Sequence, residues 1–76
     1  MRRDYCEKDH IKVTYTDDDV CFENVETAEA LVVGNDGSIL INNFDQETTA
    51  RLLDWYQHIY GTIVRFRSLD RLEQIA

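Results

Sequence analysis

A chain of 76 residues with a formal charge of −7 predicts a single domain, and it disfavours direct binding to DNA, RNA or an anionic membrane. No proline, only three glycines, and neither repeats nor low-complexity segments leave no place for a linker to a second domain within 1–76. The start "MRRDYCEKDHIK" lacks the apolar stretch of a secretory signal and no run approaches the ~20 apolar residues of a membrane span, so a cytoplasmic location is expected.

Residues 1–9, dense in charge, read as a mobile tail. "HIKVTYT" then alternates Ile11, Val13 and Tyr15 with Lys12, Thr14 and Thr16, the pattern of a strand with one buried face, and "VCFENV" repeats it with Val20 and Phe22. Between them, "TDDD" has the aspartates expected of a hairpin connection, which places Asp17, Asp18 and Asp19 at a loop tip. "NVETAEALVVG" is ambiguous: Glu26, Ala28, Glu29, Ala30 and Leu31 favour helix, whereas Leu31, Val32 and Val33 favour strand. A turn of helix followed by a strand is the expectation. The next strand is "SILIN", reached through "GNDGS", where Gly37 suits a left-handed turn position. In that register Leu31, Val33, Ile39 and Ile41 share one face and Val32 and Leu40 the other, which predicts a hairpin that is central in the sheet or covered on both sides.

"FDQETTARLLDWYQHIYG" is the strongest helical signal. Asp45 suits the N-cap, Gly61 the C′ position, and Leu52, Trp55, Tyr56 and Ile59 form a stripe at i, i+3, i+4 and i+7. "TIVRFRS" reads as a returning strand with Val64 and Phe66 inward and Arg65 and Arg67 outward. "LDRLEQIA" reads as a short helix offering Leu69, Leu72 and Ile75. The fold class expected is α+β: a small antiparallel sheet of four to five strands, one main amphipathic helix on one face, and a short C-terminal helix.

The chemical motifs are few. A calcium loop starting at Asp17 fails at Cys21 and Phe22, where an oxygen donor and a glycine are required, although a looser cation site at Asp17 and Asp19 stays open. His10 and His58 lie in no metal-ligand spacing, and Cys6 and Cys21 read as free thiols: Cys6 is four residues before His10 but both are placed in the tail, and Cys21 has no marked base nearby. No phosphate-binding glycine loop or nucleophile elbow is present. The sequence therefore assigns no catalytic residue, no metal and no cofactor, and predicts that the chain is not an enzyme.

The charge is distributed unevenly. Residues 13–50 hold nine Asp or Glu and no Lys or Arg, while the remainder holds six acids against eight bases. Asp17, Asp18, Asp19, Glu23, Glu26 and Glu29 are accordingly the candidate partner-binding residues. Carboxylates two or three residues apart on strands, where same-face neighbours are roughly 6.6 Å apart, can imitate a row of phosphates spaced ~3.4 Å along one nucleic-acid strand.

In size, in the base-free window from Val13 to Ala50, and in the short-strand architecture around "NDG" and "FDQETTARLLDWY", the chain resembles small acidic α+β inhibitors encoded by phages, such as anti-CRISPR proteins and other host-takeover factors. These inhibitors share no diagnostic motif, so no binding residue is carried over. The resemblance implies stoichiometric inhibition, in a host cytoplasm, of a larger protein or ribonucleoprotein whose basic nucleic-acid-binding surface the chain occupies. The alternative is a structural or adaptor subunit that binds through Leu69, Leu72 and Ile75, its acidity serving solubility. A homodimer is compatible with either reading.

Overall fold

The structure, a computed structural model, describes the backbone of residues 1–75 and the side chains of residues 1–73. Five strands, β1 (Arg3–Lys8), β2 (Ile11–Tyr15), β3 (Asp19–Asn24), β4 (Ala30–Gly34) and β5 (Ile39–Asn42), form one antiparallel sheet in chain order, and a single long helix, α1 (Gln46–Ile75), follows them. The class is α+β.

The period-two pattern works as strand physics requires. Val13 pairs with Phe22 and Phe22 with Leu31, while Tyr15 pairs with Val20 and Val20 with Val33, so one face of the sheet is apolar across three strands. These side chains join Leu52, Ile59 and Ile63 of α1 in one buried cluster. Phe22 is at its centre, with ring centroids 5.6 Å from Trp55 and 6.5 Å from Tyr56. Full burial of each such side chain stabilises the fold by roughly 1.5–3 kcal/mol.

The expected mobile tail is replaced by β1, a full edge strand. Asp9 and His10 take left-handed φ values of 51° and 68°, the conformation of a two-residue hairpin turn, and the flanking Lys8 and Ile11 pair. The turn of helix expected near 26–30 is likewise absent. Asn24 Oδ1 accepts the backbone N–H groups of Glu26 and Thr27, the amide of Ala28 bonds the Asn24 carbonyl at 2.8 Å, and Ala28 turns left-handed at φ 65°. The side chain of Asn24 thus offers a local bond that competes with helix.

The largest difference is at the C-terminal end. Asp45 caps α1 as expected, its Oδ1 accepting the Thr48 N–H at 2.7 Å, but neither a break at Gly61 nor a returning strand nor a separate C-terminal helix exists. Ile63, four residues past Ile59, is fully buried in the core cluster, and that burial carries the helix through a glycine and the β-branched run Thr62–Val64. The predicted faces are consequently not kept: Val64 and Phe66 are exposed and Arg67 is buried, while Arg65 is exposed as expected. Leu69 and Leu72 are exposed as well, and the Ile75 side chain lies outside the described residues.

Thirty residues at ~1.5 Å each make α1 about 45 Å long, and the molecule measures 42 × 25 × 19 Å. α1 is charged along its length, and no helix among the described residues is long and apolar enough to cross a membrane. It lies over one sheet face only. In the β4–β5 hairpin Gly37 takes the left-handed position at φ 83°, but a register shift leaves Leu40 unmatched, so that Val32 pairs with Ile41 and Val33 with Ile39. Ile41 therefore lies opposite Val32 rather than sharing a face with Leu31, and β5 is an exposed edge instead of a strand covered on both sides.

Candidate functional site

The β2–β3 connection is a compact, heavily bonded turn. Thr16 N–H donates to the Asp19 carbonyl at 3.0 Å, and Thr16 Oγ1 accepts the amides of Asp18 and Asp19. The neighbouring hairpin reaches across, with Asn35 Nδ2 donating to the Asp17 carbonyl at 2.7 Å. From α1, the buried Arg67 guanidinium donates to the carbonyls of Thr16 (2.7 Å) and Asp19 (3.0 Å), clamping both sides of the turn. Asp17, Asp18 and Asp19 are therefore held in place, but not all are free. Arg2 meets Asp19 at 2.6 Å and Arg71 approaches Asp17 at 3.8 Å, whereas Asp18 has no ion pair among the described residues.

The other three candidates lie elsewhere. β3 runs away from this turn, and Glu26 and Glu29 belong to the β3–β4 connection at its far end. The six residues of β3 span about 17–20 Å at strand rise. There His10 Nδ1 lies 2.8 Å from Glu26, and Glu29 accepts the Thr27 hydroxyl at 2.9 Å. Glu23, the penultimate residue of β3 and paired with Ala30, is near that far end, on the sheet face that α1 does not cover. The six carboxylates thus form two separated groups, Asp17, Asp18 and Asp19 at one end of β3 and Glu23, Glu26 and Glu29 toward the other, not a single cluster.

The uncovered face is the feature that reading by segments misses. Pairing sets Glu7, Lys12, Glu23 and Ala30 in one cross-strand row, and Asp4, Thr14, Cys21, Val32 and Ile41 in the next. Asp19 stands beyond Thr14, with Arg2 reaching to both. Toward β1 the face carries Asp4, Glu7, Asp19 and Glu23 against only Lys12 and Arg2, and Lys12 approaches Asp4 at 3.5 Å. Toward β5 it becomes apolar. In "RDYCEK" the charges fall in adjacent pairs around Tyr5 and Cys6, and the register shift between Asp4 and Cys6 breaks the period of two, so no alternation marks Asp4 and Glu7 as strand residues.

Burial pushes the thiols of Cys6 and Cys21 above their ordinary pKa, which disfavours the nucleophilic thiolate at neutral pH. Burial, reinforced by a 2.9 Å hydrogen bond to Asp70, likewise raises the Tyr15 phenol. Asp36 and Asp45 are held below the usual carboxylate value, by the Ser38 hydroxyl and N–H for the first and by Thr48 for the second. Among the described residues no group of three or more His, Cys, Asp or Glu is arranged to hold a metal ion. A cleft of about 420 Å³ between the start of α1 and the adjoining end of the sheet is lined by the apolar Ile11, Leu52 and Trp55 and by the charged Asp9, Glu29 and Arg51. No protein-family model matches the chain, and neither a curated relative nor a solved structure matches it.

Proposed function

We propose that this chain is a non-catalytic binding protein that lays its open sheet face on a basic, partly apolar protein surface, such as the nucleic-acid-binding groove of a larger protein or ribonucleoprotein. In this reading it inhibits by occupying that groove, as the phage inhibitors it resembles would. The observation that supports it is the asymmetry of the sheet. One face is sealed by α1, and the other carries carboxylates on the β1–β3 half and, on the β3–β5 half, the half-buried Cys21 and the exposed Ile41 on either side of the buried Val32. Charge of that sign steers encounter with Lys and Arg, while adjacent apolar groups supply contact area that survives desolvation. Asp19 and Glu23 are four residues apart on β3, about 13 Å, so this face samples a phosphate row sparsely and acts more by charge and shape than by group-for-group imitation.

The test is capture of nucleic-acid-binding proteins on the immobilised chain at low salt. The reading expects release both by moderate salt and by added duplex DNA or RNA. It also expects roughly tenfold weaker capture, about 1.4 kcal/mol, by the variant Asp4→Asn/Glu7→Gln/Glu23→Gln. The Asp17→Asn/Asp18→Asn/Asp19→Asn variant should lose less, because Arg2 and Arg71 already compensate two of those charges. Capture that ignores salt and both sets of substitutions would refute the reading. The exposed Leu69 and Leu72 favour the adaptor alternative, which takes its place if Leu69→Ser/Leu72→Ser alone abolishes capture.

A further inference from the structure

The cleft beside the start of α1 opens on the helix side of the sheet, away from the face described above. One wall is a helical stripe: Thr48, Arg51, Leu52 and Trp55 fall at i, i+3, i+4 and i+7 on α1. The other wall is a cross-strand row. Lys8 pairs with Ile11 and Ile11 with Asn24, so all three share the face that Val13 and Tyr15 turn toward the helix. Ile11, Phe44 and Trp55 are only partly buried against the core, which leaves apolar surface open inside a space of about 420 Å³. Small-molecule sites run from roughly 300 to 1,000 Å³ and combine an apolar lining with a few polar groups.

The charged groups of this cleft differ in how far they are already engaged. Asp45 accepts the Thr48 N–H at 2.7 Å at the helix start, and Glu29 accepts the Thr27 hydroxyl at 2.9 Å. Arg2, Arg3, Lys12 and Arg71 each approach a carboxylate elsewhere on the molecule. Lys8 and Arg51 make no ion pair among the described residues, although the chain holds 15 acids against 8 bases. These two uncompensated cations stand on opposite walls of one apolar-lined cleft.

We propose that the cleft binds a small aromatic carboxylate, with its ring against Ile11, Phe44 and Trp55 and its carboxylate between Lys8 and Arg51. A guanidinium takes a carboxylate through two parallel N–H bonds and an ammonium adds a point charge, while aromatic side chains favour a flat ring beside them. Asp9, Glu29 and Asp45 limit the charge of the ligand, because each repels a second anionic group. A single carboxylate is accepted, and phosphate dianions and nucleotides are disfavoured. A cationic ligand is disfavoured too, since it meets two bases without counter-charges while two of the three carboxylates already have donors.

Trp55 is the only tryptophan of the chain, so its fluorescence and its indole N–H resonance report the cleft directly. With phenylpropionate as the probe, wild type is expected to saturate with a dissociation constant of about 1 mM or tighter. Phenethylamine, its cationic analogue, and inorganic phosphate should bind at least roughly tenfold more weakly. Lys8→Gln and Arg51→Gln should each weaken phenylpropionate binding by about threefold and together by about tenfold, with unchanged circular dichroism. Arg65→Gln, which removes an exposed base outside the cleft, should match wild type. The Asp4→Asn/Glu7→Gln/Glu23→Gln variant should not weaken phenylpropionate binding, so failure at the cleft and failure at the open face are told apart. No saturable change at Trp55 up to roughly ten millimolar ligand overturns the proposal. So does equal binding by Lys8→Gln/Arg51→Gln, or phenethylamine or phosphate binding as tightly as phenylpropionate.

Discussion

Arg67→Ala should be among the most destabilising single changes away from the apolar core. The side chain is 5% exposed, donates at 2.7 Å and 3.0 Å to two carbonyls of the β2–β3 turn, and lies 6.0 Å from the centre of the Tyr60 ring. Hydrogen bonds to a charged partner contribute roughly 1.5–3 kcal/mol each. Two offsets lower the sum: the native state bears the desolvation of a guanidinium with no carboxylate on it, and water can reach part of the half-buried turn once the side chain is gone. A net cost of about 2–4 kcal/mol results. Against a total stability of about 4–11 kcal/mol for a domain of this size, the melting temperature should fall by roughly 10–25 °C. Arg67→Lys, which keeps the charge but cannot bond both carbonyls with a rigid fork, should fall between. The assay is thermal and urea denaturation followed by circular dichroism, with hydrogen exchange at the Thr16 amide reporting the turn itself. Arg65→Ala, on the exposed side of the same helix, serves as the control and should change stability by no more than about 0.5 kcal/mol. If Arg67→Ala matches that control, the guanidinium does not hold the turn.

Gly61→Ala should stabilise the protein by about 0.5–1 kcal/mol, measured as an increase in denaturation midpoint, because Gly61 is exposed in mid-helix and an added Cβ meets nothing within 4 Å; a decrease would mean that the chain turns left-handed there and the helix ends. Asp36 and Asp45 both have folded-state pKa values below their unfolded ones, so their contribution is present above the unfolded carboxylate pKa and is lost as pH falls through the folded values. Stability should therefore decline below about pH 4, and the decline should be shallower in Asp36→Asn/Asp45→Asn, which keeps the hydrogen-bond acceptors without titrating. Equal slopes in acid titrations of the two proteins would refute that assignment.

The sheet was legible where burial and period coincide. Val13, Tyr15, Val20 and Phe22 alternate cleanly because one of their faces meets α1, and Asp45 announces the helix start because capping is a local bond. The C-terminal half was not legible from local signals. Gly61 is a good C′ residue, and Thr62, Ile63 and Val64 favour strand, but Ile63 enters the core only if the helix continues one turn further, and that tertiary term outweighs the propensities. Arg67 follows from the same cause. As one residue of a strand it would alternate into solvent, whereas eight residues beyond Ile59 on a helix it sits close to the buried stripe, where its aliphatic stem packs and its head reaches the turn. The tail was misread for the opposite reason: the charges of β1 describe a strand at the margin of a sheet, and margins carry charge as tails do.

Linear charge proved a poorer guide than linear hydrophobicity, and the reason is geometric. A strand carries successive residues in one direction while its neighbours return from elsewhere, so a base-free window in sequence is interleaved with other segments in space. Here β1 brings Arg2 to Asp19, and the last turns of α1 bring Arg67 to the turn carbonyls and Arg71 to Asp17. At the opposite end of β3 a histidine faces Glu26. What persists as net negative surface is set by sheet register, which places Asp4 and Glu7, from outside the window, beside Glu23, from within it. A partner that responds to this protein's charge should therefore be more sensitive to Asp4, Glu7 and Glu23, on the open face, than to the aspartate triplet at the arginine-clamped turn.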